Sequence, residues 1–296
     1  MAQINIMALR HSAFYSPLLL CIAGGYLLDE GLEPSYVVAT PNRTVADSLI
    51  NGTCHVAQSA VATSFAALEK GLDLHIVHFA QINSRDGFFI AARTLEPDFT
   101  WSRLAGKSVL VDHFFQPLAM LKYGLHRQGV DFARLNVIDA GDVNAIEHAF
   151  RNRQADYVHL QGPAPQQMEH DGIGFVVAAV GDAVGPVAFS SLCATRDWLN
   201  TDMSHAFMRA YRRARSFAHM APAEEIAELE AEAGFFPGVE HGVLTHTIAA
   251  YQALDCWSGD VAISQQSYEN LLDVFLFSGL IKLRHPYNSA VVAPPL

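Results

Sequence analysis

The sequence predicts a two-lobed α/β protein, each lobe a mixed, mostly parallel sheet flanked by helices. Three observations point there. The chain nearly repeats itself: residues 14–38 read FYSPLLLCIAGGYLLDEGLEPSYVV and residues 114–138 read FFQPLAMLKYGLHRQGVDFARLNVI. Phe14, Pro17 and Leu18 recur as Phe114, Pro117 and Leu118, and NGTCHVAQS at 51–59 is answered by NRQADYVHLQ at 152–161. Short apolar strand-like runs alternate with helical ones through residue 195, the pattern of βαβ units around a parallel sheet. Beyond that point the periodicity is helical. Two similar α/β units leave a cleft between them, a common place for a small molecule.

QINIMAL (3–9) has strand composition, and the segment after Pro17, a first-turn residue, reads as helix to about residue 28. SYVVAT (35–40) is a strand, 44–50 a short helix and CHVAQ (54–58) a strand. A helix over 60–70 follows, with Ser59 placed to cap it and Gly71 to stop it. LHIVHFAQI (74–82) is a long buried strand. SVLVD (108–112) opens the second unit, which continues through LNVID (135–139), a helix at 143–152, DYVHL (156–160), a helix near 164–170 and FVVAAV (175–180). GFFIAAR (87–93) and PVAFSSLCAT (186–195) are expected to cross between lobes. One lobe would then hold 1–85 plus 190–296 and the other 94–182, with hinge crossings near 83–93 and 185–193. Helices are expected at 202–220, 222–233, 241–254 and 265–278.

Composition excludes several functions. Net charge is −11, only 17% of residues are charged, and there are four lysines (Lys70, Lys107, Lys122, Lys282). No basic stripe offers the positive footprint of nucleic-acid binding. The sparse surface charge leaves room for a homodimer. MAQINIMALRHSAF lacks the features of a secretory signal. The chain is therefore expected in the cytoplasm if Met1 is the native start, and in the periplasm if a leader has been removed. Cys21, Cys54, Cys193 and Cys256 are widely spaced and read as buried thiols.

There is no P-loop, dinucleotide fingerprint or serine-nucleophile elbow. The fourteen histidines form no convincing ligand spacing, so neither metal nor cofactor is expected. The polar residues at strand tips carry the functional signal, because open parallel sheets bind ligands beyond those tips. They are Arg10, His11 and Ser12, then Thr40, Gln58, Ser59, Gln81 and Asn83. In the second unit they are Asp112, His113, Gln116 and Gln161, with Ser190 on the return crossing. Helix N-termini near Pro17 and Pro117 add free N–H groups. Phe14, Tyr15, Phe114 and Phe115 stand at the same entries; one of each pair is expected in the core, and the other could sandwich a planar ligand.

The run HSAFYSPLLLCIAGGYLLDEGLEPSYV, then LINGTCHVAQSAVATSFAALEKG, and the later LAGKSVLVD resemble the SsuA/THI5-like (NMT1-like) substrate-binding family. The resemblance covers most of residues 5–195 and rests on the order and spacing of the motifs. It implies the type II periplasmic-binding-protein fold, closing on its ligand like a hinge. It also implies an ABC transporter permease as partner. The family includes pyrimidine-forming enzymes of thiamine biosynthesis, but this chain has Ser59 and Thr63 where their lysine and histidine would fall. AFSSLC carries one cysteine where those enzymes have a cluster. A cysteine-dependent desulfinase-like enzyme is the other alternative, with Cys193 nearest the hinge. The reading preferred from sequence is a binding protein without chemistry, taking a small planar or monoanionic organic molecule, either a neutral heterocycle or a monoanion held by helix N-termini.

Overall fold

The computed structural model describes all residues, 1–296. Ten strands form two five-stranded sheets. The first contains β1 (Ala2–Ala8), β2 (Leu32–Val38), β3 (Val56–Ser59), β4 (Ile76–Asn83) and β10 (Ser190–Thr195) in the order β2-β1-β3-β10-β4. The second contains β5 (Phe88–Ala92), β6 (Ser108–Val111), β7 (Asn136–Ile138), β8 (Tyr157–Gln161) and β9 (Phe175–Ala179) in the order β7-β6-β8-β5-β9. In each sheet the first three strands run parallel and the fourth runs antiparallel to both its neighbours. The echo in the sequence is thus an echo of topology, with β6, β7 and β8 repeating β1, β2 and β3.

Neither of the strands expected to cross belongs to both sheets. β5 pairs wholly within the second sheet and β10 wholly within the first. The chain therefore passes between sheets through 84–87 and again through 180–189. Of PVAFSSLCAT only the last six residues pair as a strand; Val187 and Ala188 instead donate their N–H groups to Ser84 and Ser267 carbonyls. These two segments lie side by side, and a Cβ on Gly181 would collide with the Asp86 carbonyl.

The C-terminal helices Asp202–Met220, Ala223–Glu232, His241–Ala253 and Gln265–Phe277 fall within one residue of their expected ends. Thr201 and Ser264 accept the Ser204 and Ser267 N–H groups at the first and last of these. Two helices depart from expectation. The first is split into Ser16–Ala23 and Tyr26–Asp29, because Gly25 takes φ +71° and breaks the run. The expected 60–70 helix is a 3₁₀ turn, Val61–Ser64, followed by one α-turn, Phe65–Leu68. Ser59 does not cap it, being the last paired residue of β3.

One apolar cluster of 66 buried residues runs through both sheets and the C-terminal helices. Phe14, Phe88, Phe89, Phe189 and Tyr251 join the lobes within it. No helix is long and apolar enough to cross a membrane.

Candidate functional site: the cleft between the sheets

The parallel strands β1 and β6 point their C-terminal ends at one another, and the loops after them meet across the cleft. Arg10 follows β1 and Asp112 follows β6. Their side chains form an ion pair of 2.8 Å, with a second contact at 3.5 Å. The Arg10 guanidinium also lies over the Phe114 ring, 4.3 Å from its centroid. Gln58 holds this loop in place, its Oε1 accepting the Leu9 and Arg10 N–H groups at 2.9 and 3.2 Å. On the other side Asp112 Oδ1 accepts the Phe114 N–H at 2.8 Å. Burial alone would push the Asp112 carboxyl up. The hydrogen bonds and charge of Arg10, with the Phe114 N–H, override it and hold the carboxyl below its ordinary range.

This pair divides the cleft. On one side lies an open groove of ≈ 1340 Å³. Its walls include His11, Ser12, His113, Gln161 and the loop 237–240. On the other lies an inner cavity of ≈ 40 Å³ walled by aromatics: Tyr15, Phe88, Phe114, Phe115 and Phe189. Leu9, Arg10 and Phe114 border both. Further contacts tie the lobes together: Ser12 Oγ donates to the Gly162 carbonyl at 2.8 Å, and Gln116 Nε2 donates to the Phe189 carbonyl at 2.7 Å.

Twelve of the seventeen side chains expected at the site border this space. His11, Ser12, Asp112, His113 and Gln161 face the groove, Tyr15, Gln58, Phe115, Gln116 and Ser190 face the inner cavity, and Arg10 and Phe114 border both. Not all are free to bind. Both His11 nitrogens are occupied, one by the Phe235 carbonyl at 2.6 Å and one by the Tyr36 hydroxyl at 2.9 Å. Its ring stacks on Phe236, and burial holds its pKa below the usual value despite the Phe235 bond. His113 has one nitrogen on the Val111 carbonyl. Gln116 Oε1 and Gln161 Nε2 are buried without a partner, which is costly unless something else pairs with them.

Five expected residues stand elsewhere, each for a packing reason. Phe14 is fully buried between Tyr15, Phe189 and Tyr251, so of that entry's two aromatics it is the core residue and Tyr15 borders the inner cavity. Asn83 bridges Ser190 Oγ and the Trp257 indole N–H. Gln81 is inside β4, its carbonyl accepting from the Tyr211 hydroxyl. Thr40 closes a two-residue bridge with Arg43 on the surface. Ser59 is 3.4 Å from the Thr63 hydroxyl and buried beside it. Phe88 and Phe189 line the cavity without having been singled out in the sequence. Their signal was position, at the inner ends of the two crossings.

All four cysteines are buried, and burial pushes each thiol up, that of Cys54 to about 11. None is a ready thiolate nucleophile. Cys193 packs with Met7, Cys54 and Ala57 in a separate apolar cluster.

The family model described as NMT1/THI5 like matches residues 13–225. The candidate binding protein YtlA of Bacillus subtilis (strain 168) is 25% identical over 295 residues, covering 98% of this chain and 88% of its own length. Among solved structures, the ligand-binding component of an ABC-type import system from Staphylococcus aureus superposes with TM-score 0.76 at 14% identity, covering 99% of this chain and 97% of that one. The alkanesulfonate-binding protein SsuA from Xanthomonas axonopodis pv. citri superposes with TM-score 0.73 at 17% identity, covering 99% of both chains. The periplasmic aliphatic sulphonate-binding protein SsuA of Escherichia coli gives 0.72 at 15% identity, covering 99% and 93%. With a family match running over most of its length and this shared architecture, the chain belongs to the NMT1/THI5-like family and has the two-lobed fold of periplasmic substrate-binding proteins.

Proposed function

We propose that this protein is the ligand-binding component of an ABC-type importer, capturing a small planar organic molecule between its lobes and performing no chemistry on it. The lobes correspond to residues 1–85 with 190–296, and 94–182. The observation that carries this reading is a pair of unpartnered buried amide atoms where the strand tips meet, Gln116 Oε1 at the aromatic-walled cavity and Gln161 Nε2 at the open groove. Aromatic walls with a few convergent polar atoms suit a flat heteroaromatic ligand. A place outside the cytoplasmic membrane and a permease partner go with this reading, as they do for the import components it resembles.

The test is native mass spectrometry of the gently purified protein, followed by titration of whatever it carries. A bound ligand at a hundredfold excess over Kd adds about 2.7 kcal/mol of stability, and the melting temperature should rise and saturate. Gln116→Ala should weaken the effect and Cys193→Ala leave it intact. Recovery of a chemically altered ligand, or turnover lost in Cys193→Ala, would make the protein an enzyme.

A further inference from the structure

Building on that reading, we propose that Arg10 is an internal stand-in for the ligand. In this view Asp112 and the Phe114 ring form a subsite for a planar N–H-donating cation of the amidinium or guanidinium type. The chain itself shows how such a group would sit. The Arg10 guanidinium is flat, stacks on Phe114 at 4.3 Å and presents two nitrogens to the two Asp112 oxygens. Stacking plus a forked pair to a carboxylate is the recognition that this shape of cation favours.

The two partners are unequally held. The Asp112 side chain is 5% exposed and anchored from behind by the Phe114 N–H, whereas the Arg10 side chain is 25% exposed and borders the open groove. Arg10 can reach water, but it leaves a buried charge on Asp112 that only another cation can meet; Asp112 itself has no route out. A cation arriving from the groove therefore replaces Arg10. An anion would have to bind Arg10 beside a carboxylate that stays in place.

The groove favours the same sign. Asp112, Asp139, Asp142, Glu147, Asp171 and Glu240 border it, against the guanidiniums of Arg10 and Arg151. Arg151 is already committed to Glu147 and Asp171 at 2.7 Å each. The surplus of carboxylates steers cations inward and anions away. Arg10 and the Phe114 N–H hold the Asp112 carboxyl low against its burial, and an incoming cation would take over the part Arg10 plays.

Calorimetric titration with three flat probes of one size tests this: benzamidine (cation), benzoate (anion) and benzamide (neutral). The wild-type chain should bind benzamidine saturably and benzoate not at all. Arg10→Ala removes the internal competitor, so its benzamidine affinity should rise at least about tenfold, because the competent state is no longer a minor fraction. An Arg10 that touches the ligand directly would instead weaken binding when truncated. Asp112→Asn, nearly isosteric, should abolish the response; if that variant fails to fold, the benzamidine–benzoate contrast in the wild type decides alone. Binding of benzoate in place of benzamidine, weaker benzamidine binding in Arg10→Ala, or no benzamidine binding in either protein overturns the inference. A co-purifying ligand that binds saturably while benzamidine does not would leave the proposed binding function standing and remove only its charge class. If nothing co-purifies and nothing binds, the function falls too.

Discussion

Phe14→Ala is expected to destabilise the protein by about 3–5 kcal/mol, the range for emptying a buried aromatic site. Phe14 has no exposed surface, and its ring meets Tyr15, Phe189 and Tyr251 at centroid distances of 5.5, 5.4 and 4.9 Å. It also fixes the backbone at the junction, since the Trp257 indole donates to the Phe14 carbonyl at 3.1 Å. Truncation would empty the point where β5, the return crossing and the His241–Ala253 helix converge on the first lobe. At roughly 2–4 °C per kcal/mol for domains of 150–250 residues, melting should fall by about ten degrees. Gly87→Ala should act on the same spot from the other side, because its new Cβ would overlap the Phe14 ring. Circular-dichroism melts of both variants check this. A Phe14→Ala protein that melts normally but no longer binds ligand would make the ring a ligand contact instead of a keystone.

The second large effect is a stability profile that peaks on the acid side of neutrality. Burial pushes the Glu230 carboxyl up to about 8, only partly offset by the Ser16 hydroxyl. Burial pushes Asp86 to about 8 as well, against the pull of the Phe88 N–H and with a small push from Asp112. Both carboxyls are therefore protonated in the fold at neutral pH. Unfolding would release those protons at any pH between the ordinary carboxyl value and about 8. Their contribution to stability is complete below the ordinary carboxyl pKa and is lost as pH rises toward about 8. Each accounts for at most about 1.4 kcal/mol per pH unit.

Two histidines act in the opposite sense. Burial lowers His78 to about 3 and His159 to about 4, so their contribution is complete above 6.5 and is lost as pH falls through those values. The two sets nearly cancel between about 4.5 and 6.5, leaving a plateau with a decline on either side. Denaturant midpoints should therefore fall only slightly from pH 5.5 to 7 and more from 7 to 8.5, and Glu230→Gln should remove about half of the slope above 6.5. A flat profile from 6.5 to 8.5, or a slope untouched by Glu230→Gln, would contradict the buried neutral carboxyls.

The candidate site was partly legible before folding. Asp112, His113 and Gln161 sit at strand ends whose composition and turns are local, and strand ends of parallel sheets face the cleft by construction. Phe14 and Tyr15 show where legibility stops. They are adjacent, both aromatic, and of opposite use: one fills the core and the other borders the inner cavity. Nothing local separates them, because the choice depends on Phe189 and Tyr251, far along the chain. Gln81 and Asn83 stand away from the cleft for the same reason, since their partners Tyr211 and Trp257 arrive from the Asp202–Met220 helix and the turn after the His241–Ala253 helix.

What the sequence determined by itself was everything governed by short range. The Asp202–Met220 helix follows from its Thr201 cap and apolar period, the strands from their alternation, and the duplicated topology from the duplicated text. Gly25 was visible too, but that it takes φ +71° and breaks the run, with Tyr26 beyond it packed against Phe217 of the Asp202–Met220 helix, was not. Tertiary structure alone decided the partners. The Arg10–Asp112 pair joins residues 102 apart and divides one cleft into two spaces, and Glu230 becomes a buried neutral acid only after helices close around it. A local pattern can say which face of an element is apolar. It cannot say which distant charge or ring will meet that face, because that is set by the closure of the whole chain.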